Sequence, residues 1–575
     1  MHLEELKVLL LDCQTTGANP KQGAVIEIGW ACADASKENI EPADVNAFLL
    51  KLPPGHEIPA RVHKITGITK DEVDAGFEPL DIWSRLLSSA DQIARLNQMD
   101  KCPAVIHFAK FETPFLIEMH TKIEPVFGFP FSIVCTHEIA KRIFPELPRR
   151  SLRAIAGYFG HSLGKIRRCR EHILATAIIW REFTRVMRER HGIATFERLQ
   201  NWLGQPVITT ATERIYPMSE QARSNLPDEP GIYRMLRSNG DVLYVGKAGA
   251  LRQRVNSYFR QSSCHPEHIL EMLSQARQID VTVTESALEA AMLESDEIKQ
   301  LSPPYNVALR GDDREVWFCT PDLTEFSNTA TQKFRIGPLV CQDAVIRFAA
   351  IQTLVKQGDV ASGEEEKLVM ALGMPEAYAP DMECILAGFE MFFKKYAEKL
   401  KLESVERTLT EIGKELWLQR LAEKEKAIDE PEEFELESGK VPMWTPASVC
   451  RLIESNVVRG TCELRRARWL VLLSESSLAW EETIAKSQQR FLIAFERGQV
   501  LFRRIIDAGD TPVPLGYNSS FVERQRSFDL MTVDRMRVVT TEIRKTLAAG
   551  RWVRLHLRPG VVLDNERLTK MFKWV

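Results

Sequence analysis

Residues 231–247 read GIYRMLRSNGDVLYVGK, two runs rich in β-branched and aromatic side chains on either side of Asn239-Gly240. Asn-Gly best supplies the positive φ angles of a type I′ turn, so the stretch predicts a tight β-hairpin. Pairing outward sets Arg237 opposite Val242, Met235 opposite Tyr244 and Tyr233 opposite Gly246. Cross-strand partners share a face, which puts Tyr233 and Tyr244 on one side as diagonal neighbours. Leu251 to Tyr258 then continues as a helix in which Arg254 and Tyr258, four apart, project together. Two phenols, a guanidinium and the nearby Lys247 converge in this reading.

A second helix opens on the capping box Ser286-Ala287-Leu288-Glu289, and its apolar stripe of Ala287, Ala291, Ile298 and Leu301 faces the core. Glu294 falls on that stripe. A buried carboxylate is costly without a partner, which leaves a metal ion, an arginine or a hydrogen-bond network to hold it.

The chain around this stretch has 575 residues, enough for three to five domains. With 44% hydrophobic and 27% charged residues it is neither disordered, collagen-like nor a disulfide-dense scaffold. Its 75 basic residues against 79 acidic ones exclude a uniformly basic nucleic-acid binder, although a local basic stripe is compatible with them. The 11 cysteines contain no C-x-x-C pair, which points to a reducing compartment and to no structural zinc. Cys264-His265-Pro266-Glu267-His268 reads as a surface turn. No apolar run reaches the roughly 18 residues of a membrane span, and Met1-His2-Leu3-Glu4-Glu5 carries acids where a signal peptide carries bases. A cytoplasmic protein without a membrane partner is expected.

Residues 5–190 alternate apolar strands (KVLLL at 7–11, AVIEIGWACA at 24–33) with amphipathic helices, an α/β pattern. From Lys141 to Arg190 the pattern is helical, with thirteen basic residues against four acidic. Residues 191–225, punctuated by Gly204, Pro206 and Pro217, read as a linker to a second domain at 226–310. Residues 311–438 read as mostly helical, ending in an acidic linker, and 439–575 as an α+β region with strands at 469–481 and 491–505 and a helix near 532–548. After Val500 there are fourteen basic residues against eight acidic, near Phe528 and Trp552. Core strands with a solvated face account for this, with nucleic-acid contact as the sharper alternative. The whole is a multidomain α/β and α+β chain.

Gly231-Ile232-Tyr233, Tyr244-Val245-Gly246-Lys247-Ala248, Leu251, Arg254, Ser257-Tyr258-Phe259, Leu293-Glu294, Ile298-Lys299 and Pro304-Tyr305-Asn306 resemble the GIY-YIG nuclease domain of UvrC-type excinucleases. The resemblance runs from about Leu226 to Arg310. It implies Tyr244 as general base on water, with Lys247 stabilising the phenolate. Tyr233 and Tyr258 would hold the phosphate and Arg254 neutralise charge developing on it. Glu294 would be the lone protein ligand of one Mg²⁺ or Mn²⁺, supported by Asn306. A single hard carboxylate completed by water suits such an ion, and a tyrosine with pKa near 10 needs nearby cations to act as a base at neutral pH. Phe334 to Pro338 resembles the stretch that follows this domain in the family. The rest shows no match to that family's second nuclease domain or its helix-hairpin-helix repeats.

Asp12-Cys13-Gln14-Thr15-Thr16-Gly17, HKITGIT at 63–69, HFAKFETPFL at 107–116, Cys135-Thr136 and Ser151-Leu152 resemble the DnaQ-like 3′–5′ exonucleases, of the DNA polymerase III epsilon type, over about residues 5–185. That resemblance implies an RNase H-like fold and four carboxylates holding two metals, with a histidine base. Asp12 stands, but Gln14 replaces the expected Glu, Glu112 an Asp, Arg167 the His and His172 the last Asp. Two of four carboxylates are gone, and a degenerate exonuclease is expected, kept for binding DNA or docking on a polymerase or sliding clamp. Arg167, Arg168 and Arg170 are then candidates to hold a phosphate.

The layout resembles bacterial exonuclease–endonuclease fusions related to the Cho repair nuclease, which implies a metal-dependent DNA endonuclease incising one strand of damaged or branched DNA in nucleotide excision repair. Excision-repair damage-recognition proteins are implied as partners. Three alternatives stay open: an active 3′–5′ exonuclease, a restriction or mobile-element nuclease, and a non-catalytic DNA-binding scaffold.

Overall fold

The computed structural model describes the chain apart from residues 37–39, 125, 165, 207–213, 261–263, 308–313, 358–364, 374–379, 401–403, 427–443, 485–486, 508–520, 558–560 and 574–575. Most of the acidic stretch read as a linker lies outside the described residues, as does Arg310.

The first five strands, β1 (Val8–Thr15), β2 (Val25–Ala33), β3 (Asn46–Leu49), β4 (Cys102–Ile106) and β5 (Phe131–Cys135), form one sheet ordered β3-β2-β1-β4-β5. The first three pair antiparallel, while β4 lies parallel to β1 and β5 to β4. A parallel pair needs a crossover, and helix Pro79–Leu96 is part of it. Both faces of β1 are buried. Leu9 and Leu11 pack with Trp83 and Phe115, while Val8 and Leu10 pack with Ile173, Trp180 and Phe183 of helix Cys169–His191. Asp12 and Gln14 continue the second face by the two-residue period, which aims them at the start of that helix. The basic stretch from Lys141 to Arg190 is not one helix: it breaks between Ile143 and Leu152, at Pro145 and Pro148, and again between Tyr158 and Cys169.

Residues 191–225 are more than a linker. Helix Phe196–Gly204 buries Phe196 and Leu199 in the first core, and Met218 is buried in the second.

Strands β6 (Gly231–Leu236), β7 (Val242–Ala248) and β8 (Gln278–Val283) form an antiparallel sheet ordered β7-β6-β8. Met235 pairs with Tyr244 and Tyr233 with Gly246 as the hairpin predicts, but Leu236, not Arg237, faces Val242. The turn is the reason. Gly240 has φ +89° while Asn239 does not enter the positive region, and the Gly240 amide donates to the Arg237 carbonyl. This is a type I turn closed by a left-handed glycine, whose extra residue shifts the register by one on one strand. The Asn239 and Asp241 side chains hold it, with Asn239 Nδ2 donating to Asp241 Oδ2 at 2.9 Å.

The two domains are docked. Ser151 Oγ donates to Glu271 at 2.5 Å, the Arg149 amide to Ser274 Oγ at 2.9 Å, and the Arg277 guanidinium lies 4.1 Å from the centre of the Tyr158 ring.

Strands β9 (Trp317–Cys319), β10 (Phe326–Ser327) and β11 (Ile336–Leu339) lead into helices whose shared core holds Phe348, Phe389, Phe392 and Val457. The last helix of this group, Pro446–Leu473, runs through residues 469–473, which the sequence pattern had placed in a strand. Trp469, Leu470, Val471 and Leu473 form an apolar run long enough for either structure, and they pack from the helix.

The final sheet comprises β12 (Ser476–Ile484), β13 (Ser487–Glu496), β14 (Gln499–Ile506), β15 (Val553–Leu557) and β16 (Val561–Leu563) in the order β14-β13-β12-β15-β16. Its order mirrors the first sheet, but β15 runs antiparallel to β12, so its topology differs from that of the N-terminal one. Helix Leu530–Ala548 crosses between β14 and β15 and packs on helix Ala287–Leu301 of the second domain. Leu288 and Met292 accordingly share one core with Phe491, Val533 and Met536. Phe528 is buried in that core, and Trp552 lies beneath Arg490 and Arg554.

Candidate active site

Tyr233, Tyr244 and Tyr258 gather on one face of the hairpin, their ring centres 6.1, 6.2 and 6.4 Å apart. The hairpin register brings the first two together. Helix Leu251–Ser257 delivers the third, with Tyr258 capping its end. Tyr233 Oη and Tyr258 Oη form a hydrogen bond of 3.0 Å, and Arg254 Nη2 donates to Tyr258 Oη at 3.2 Å. The Arg254 guanidinium lies 5.0 Å from the centre of the Tyr258 ring, the i, i+4 contact expected of the helix.

Gly246 makes the crossing possible. A Cβ there would lie 2.5 Å from Cζ and Oη of Tyr233 and 2.7 Å from the Tyr244 ring, so the glycine leaves the space that the Tyr233 phenol fills. Burial, and then the neighbouring phenols Tyr258 and Tyr244, push the Tyr233 pKa well up; burial and Tyr258 do the same to Tyr244. Both shifts favour the neutral phenol over the phenolate.

Glu294 lies half-buried beside this group. Its Oε1 accepts the Lys247 amide at 3.0 Å, and burial raises its pKa against the opposing pull of Lys247. The helix that carries it is buried on two sides. Ala291 and Ile298 are covered as the stripe predicts, but Leu301 is 46% exposed, while Leu288, Met292 and Ser295 are buried because helix Leu530–Ala548 covers the other flank. Ser286 caps the helix by accepting the Glu289 amide at 3.2 Å, whereas Glu289 accepts from Glu285 and not from Ser286, so the box is half formed.

Asn306 makes a two-way amide bridge to β7, donating to the Val245 carbonyl at 2.8 Å and accepting its amide at 3.0 Å. It braces the strand that carries Tyr244. Lys247 is placed otherwise than expected: its Nζ donates to Glu542 Oε1 at 2.7 Å, where the resemblance would pair it with the Tyr244 phenol. Lys545 Nζ donates to the same oxygen at 3.0 Å. Burial opposes ionisation of Glu542, but the two lysines outweigh it and hold its pKa low. Glu542 and Lys545 could not be found from local pattern, since they lie nearly three hundred residues downstream of Lys247. His265, which the sequence places in a surface turn, donates from Nε2 to the Tyr258 carbonyl at 2.8 Å and stacks its ring on that of Tyr258.

In the N-terminal domain, Asp12 Oδ1 meets His172 Nδ1 at 2.9 Å and Asp12 Oδ2 accepts from Gln14 Nε2 at 3.2 Å. Burial disfavours the imidazolium, but the Asp12 carboxylate outweighs it and raises the His172 pKa. Glu112 accepts the Cys13 amide at 2.9 Å, and burial together with Asp12 pushes its pKa well up. Burial, with His137 and His172, drives His107 down to about 3. Among the described residues no three of His, Cys, Asp and Glu gather as a metal-holding group. Arg167 and Arg170 are exposed. The Arg168 guanidinium, a candidate to hold a phosphate, is paired with Glu27 at 3.0 Å and Glu72 at 3.5 Å, and its backbone amide is capped by Glu171 at 2.7 Å. The cleft beside His172, about 530 Å³, is instead lined by Arg149, Arg150 and Arg153 with the exposed Phe108.

No helix among the described residues is long and apolar enough to cross a membrane.

Comparison with known proteins matches residues 229–307 to the UvrC-like GIY-YIG domain and residues 9–164 to the exonuclease family RNase_T. UvrABC system protein C of Nitrosomonas eutropha is 53% identical over 87 residues, 15% of this chain and 14% of that protein. That of a Psychrobacter species is 49% identical over 107 residues, 19% of this chain and 17% of that one. The GIY-YIG N-terminal endonuclease domain of UvrC from Thermotoga maritima, solved with magnesium as its catalytic divalent cation, is 31% identical, with 16% of this chain covering 100% of that one at a TM-score of 0.14. The chain thus spans less than a fifth of the length of these curated relatives. What it carries is a UvrC-like GIY-YIG domain joined, on one polypeptide, to an exonuclease-family domain.

Proposed function

We propose that residues 226–310 form a metal-dependent DNA endonuclease that hydrolyses a phosphodiester on one strand of damaged or branched duplex DNA, in the manner of nucleotide excision repair. The observation that carries this reading is the meeting of three phenols and Arg254 beside the half-buried Glu294. The names of the relatives add support, since they are UvrABC components.

Tyr233 and Tyr258, tied by their shared hydrogen bond, present hydroxyls to a phosphate oxygen, and Arg254 sets a fixed positive charge where negative charge grows during attack. Tyr244 is the candidate base toward the attacking water. Its raised pKa means that it gives up its proton only when the site becomes more positive than it is without substrate. Glu294 fits a hard divalent cation. One of its oxygens is occupied by an amide, and burial has already made its charge expensive, so that a nearby cation relieves the cost. Mg²⁺ and Mn²⁺ both suit the oxygen donor, and when bound such an ion supplies Lewis acidity at the leaving oxygen.

The N-terminal domain serves in this reading as a DNA-binding or docking module. Histidine and glutamine occupy the two oxygens of Asp12, and Glu112 is engaged by the Cys13 amide, an arrangement opposed to a two-metal cage. Polymerase, sliding clamp and damage-recognition proteins are its candidate partners.

The test is a duplex with a bulky adduct, end-labelled on each strand in turn, incubated with Mg²⁺ or Mn²⁺. Discrete single-strand incision that Glu294→Ala abolishes and Asp12→Ala does not is the expected outcome. Cutting at a fixed sequence regardless of the lesion would indicate a restriction or mobile-element role, and a ladder of shortened 3′ ends lost with Asp12→Ala would reinstate the exonuclease.

A further inference from the structure

Beside the phenols a cleft of about 670 Å³ opens between the GIY-YIG domain and helix Leu530–Ala548 of the C-terminal region. Its charged lining is Lys247, Arg254, Arg260 and Lys545 against the single carboxylate of Glu542, an excess of three positive charges. Because Lys247 Nζ and Lys545 Nζ both donate to Glu542 Oε1, the two ammonium groups are neighbours although one comes from β7 and the other from a helix almost three hundred residues later. We infer that the C-terminal helix is the second wall of the nuclease cleft and that Lys545, held beside Lys247 by Glu542, contacts a phosphate of the DNA strand being cut. This rests on the endonuclease reading above.

Two observations support it. The helix is fixed to the site: Asp296 of the Glu294 helix pairs with Arg535 at 2.7 Å, and Lys299 of that helix pairs with the buried Asp534 at 3.0 Å. The wall therefore keeps its place relative to Glu294. Lys545 is also presented to solvent, its side chain 61% exposed, while its partner carboxylate is mostly covered. An ammonium aimed into an anion-accepting cleft from a rigid helix contributes a backbone contact without sequence information, which suits a nuclease that reads structure. The same placement gives the C-terminal region a share in the substrate.

The test uses the full chain and a duplex bearing a bulky adduct, with affinity measured in EDTA over a series of KCl concentrations so that no cutting is needed. Lys545→Ala is expected to weaken binding and to reduce the slope of log affinity against log salt by about one. Lys545→Arg is expected to restore the slope, and Lys570→Ala, an exposed lysine on the last helix, serves as the control. Binding by Lys545→Ala that matches Lys570→Ala at every salt concentration overturns the proposal, as does tighter binding by Lys545→Ala. Incision by the wild type in Mg²⁺ is scored separately. Its absence with the slope change present removes the endonuclease reading and leaves the phosphate contact standing, whereas incision with no slope change removes the contact alone.

Discussion

The hydroxyls of Tyr233 and Tyr258 are 3.0 Å apart, and the second also receives Arg254, so one phenol organises both a neighbour and a guanidinium. Tyr258→Phe keeps the ring that packs against His265 and Arg254 but removes the hydroxyl that bonds the buried Tyr233 hydroxyl and Arg254. The expected cost is about 1–2 kcal/mol in stability and roughly 10–100-fold in incision rate, read by chemical denaturation and single-turnover cleavage. A variant as fast as wild type would remove Tyr258 from the reaction.

Glu294→Gln conserves shape and can still accept the Lys247 amide, but it lacks the charge that would hold a divalent cation. Incision should fall by about a thousandfold or more, with DNA affinity in EDTA changed little. Parallel loss of binding would make Glu294 a structural residue.

Gly246→Ala places a methyl group where the Tyr233 phenol lies. The ring must move, and incision should fall at least tenfold while the circular dichroism spectrum stays that of the wild type.

These three tests address the part of the site that was legible in the sequence. Tyr233, Tyr244, Arg254 and Tyr258 follow from a hairpin register and one helical turn, both local periodicities, and the structure brings them together. The turn type departs from the type I′ expectation because Asn-Gly fits two hairpin loops, and only the φ of Asn239 separates them. The partners of Lys247 and Arg168 escape the sequence for a different reason. A cation's partner is chosen by tertiary neighbours, and Glu542 and Glu27 lie far away in sequence. The α/β character of the first domain was accessible through its apolar strands and the motif resemblance, whereas nothing local announced that the last sheet would dock its crossover helix on the Glu294 helix.

His172 and Asp12 form a pair whose contribution depends on pH. The folded-state pKa of His172 is raised, so its stabilising effect is full below the unfolded value of about 6.5 and is lost as pH rises through the folded value. His172→Gln should therefore cost about 1–2 kcal/mol near pH 6 and progressively less in alkaline buffer, measured as denaturation midpoints across pH. A difference that grows with pH would reverse the assignment.

Asp534 is buried between Lys299 and Arg314, 3.0 and 2.8 Å away, and burial is outweighed by these cations so that its pKa is lowered. Asp534→Ala removes the buried carboxylate that Lys299, Arg314 and Arg537 share at the contact between the Glu294 helix and the C-terminal region, and the expected loss is about 3–5 kcal/mol. Limited proteolysis should then release the C-terminal region sooner than in wild type. Unchanged resistance would mean that apolar packing alone holds the two together.

The Asn306 bridge has a consequence for the company that the domain can keep. β7 is the last strand of its sheet, and an unsheltered last strand offers its amides and carbonyls to any extended chain. One asparagine side chain takes the Val245 donor and acceptor together, and the Tyr305 amide takes the Leu243 carbonyl, so a two-residue segment acts as a surrogate neighbour. The strand that carries Tyr244 is thereby closed to augmentation by a foreign peptide and to exchange between copies, and Tyr244 is insulated from the aggregation to which a bare margin would expose it.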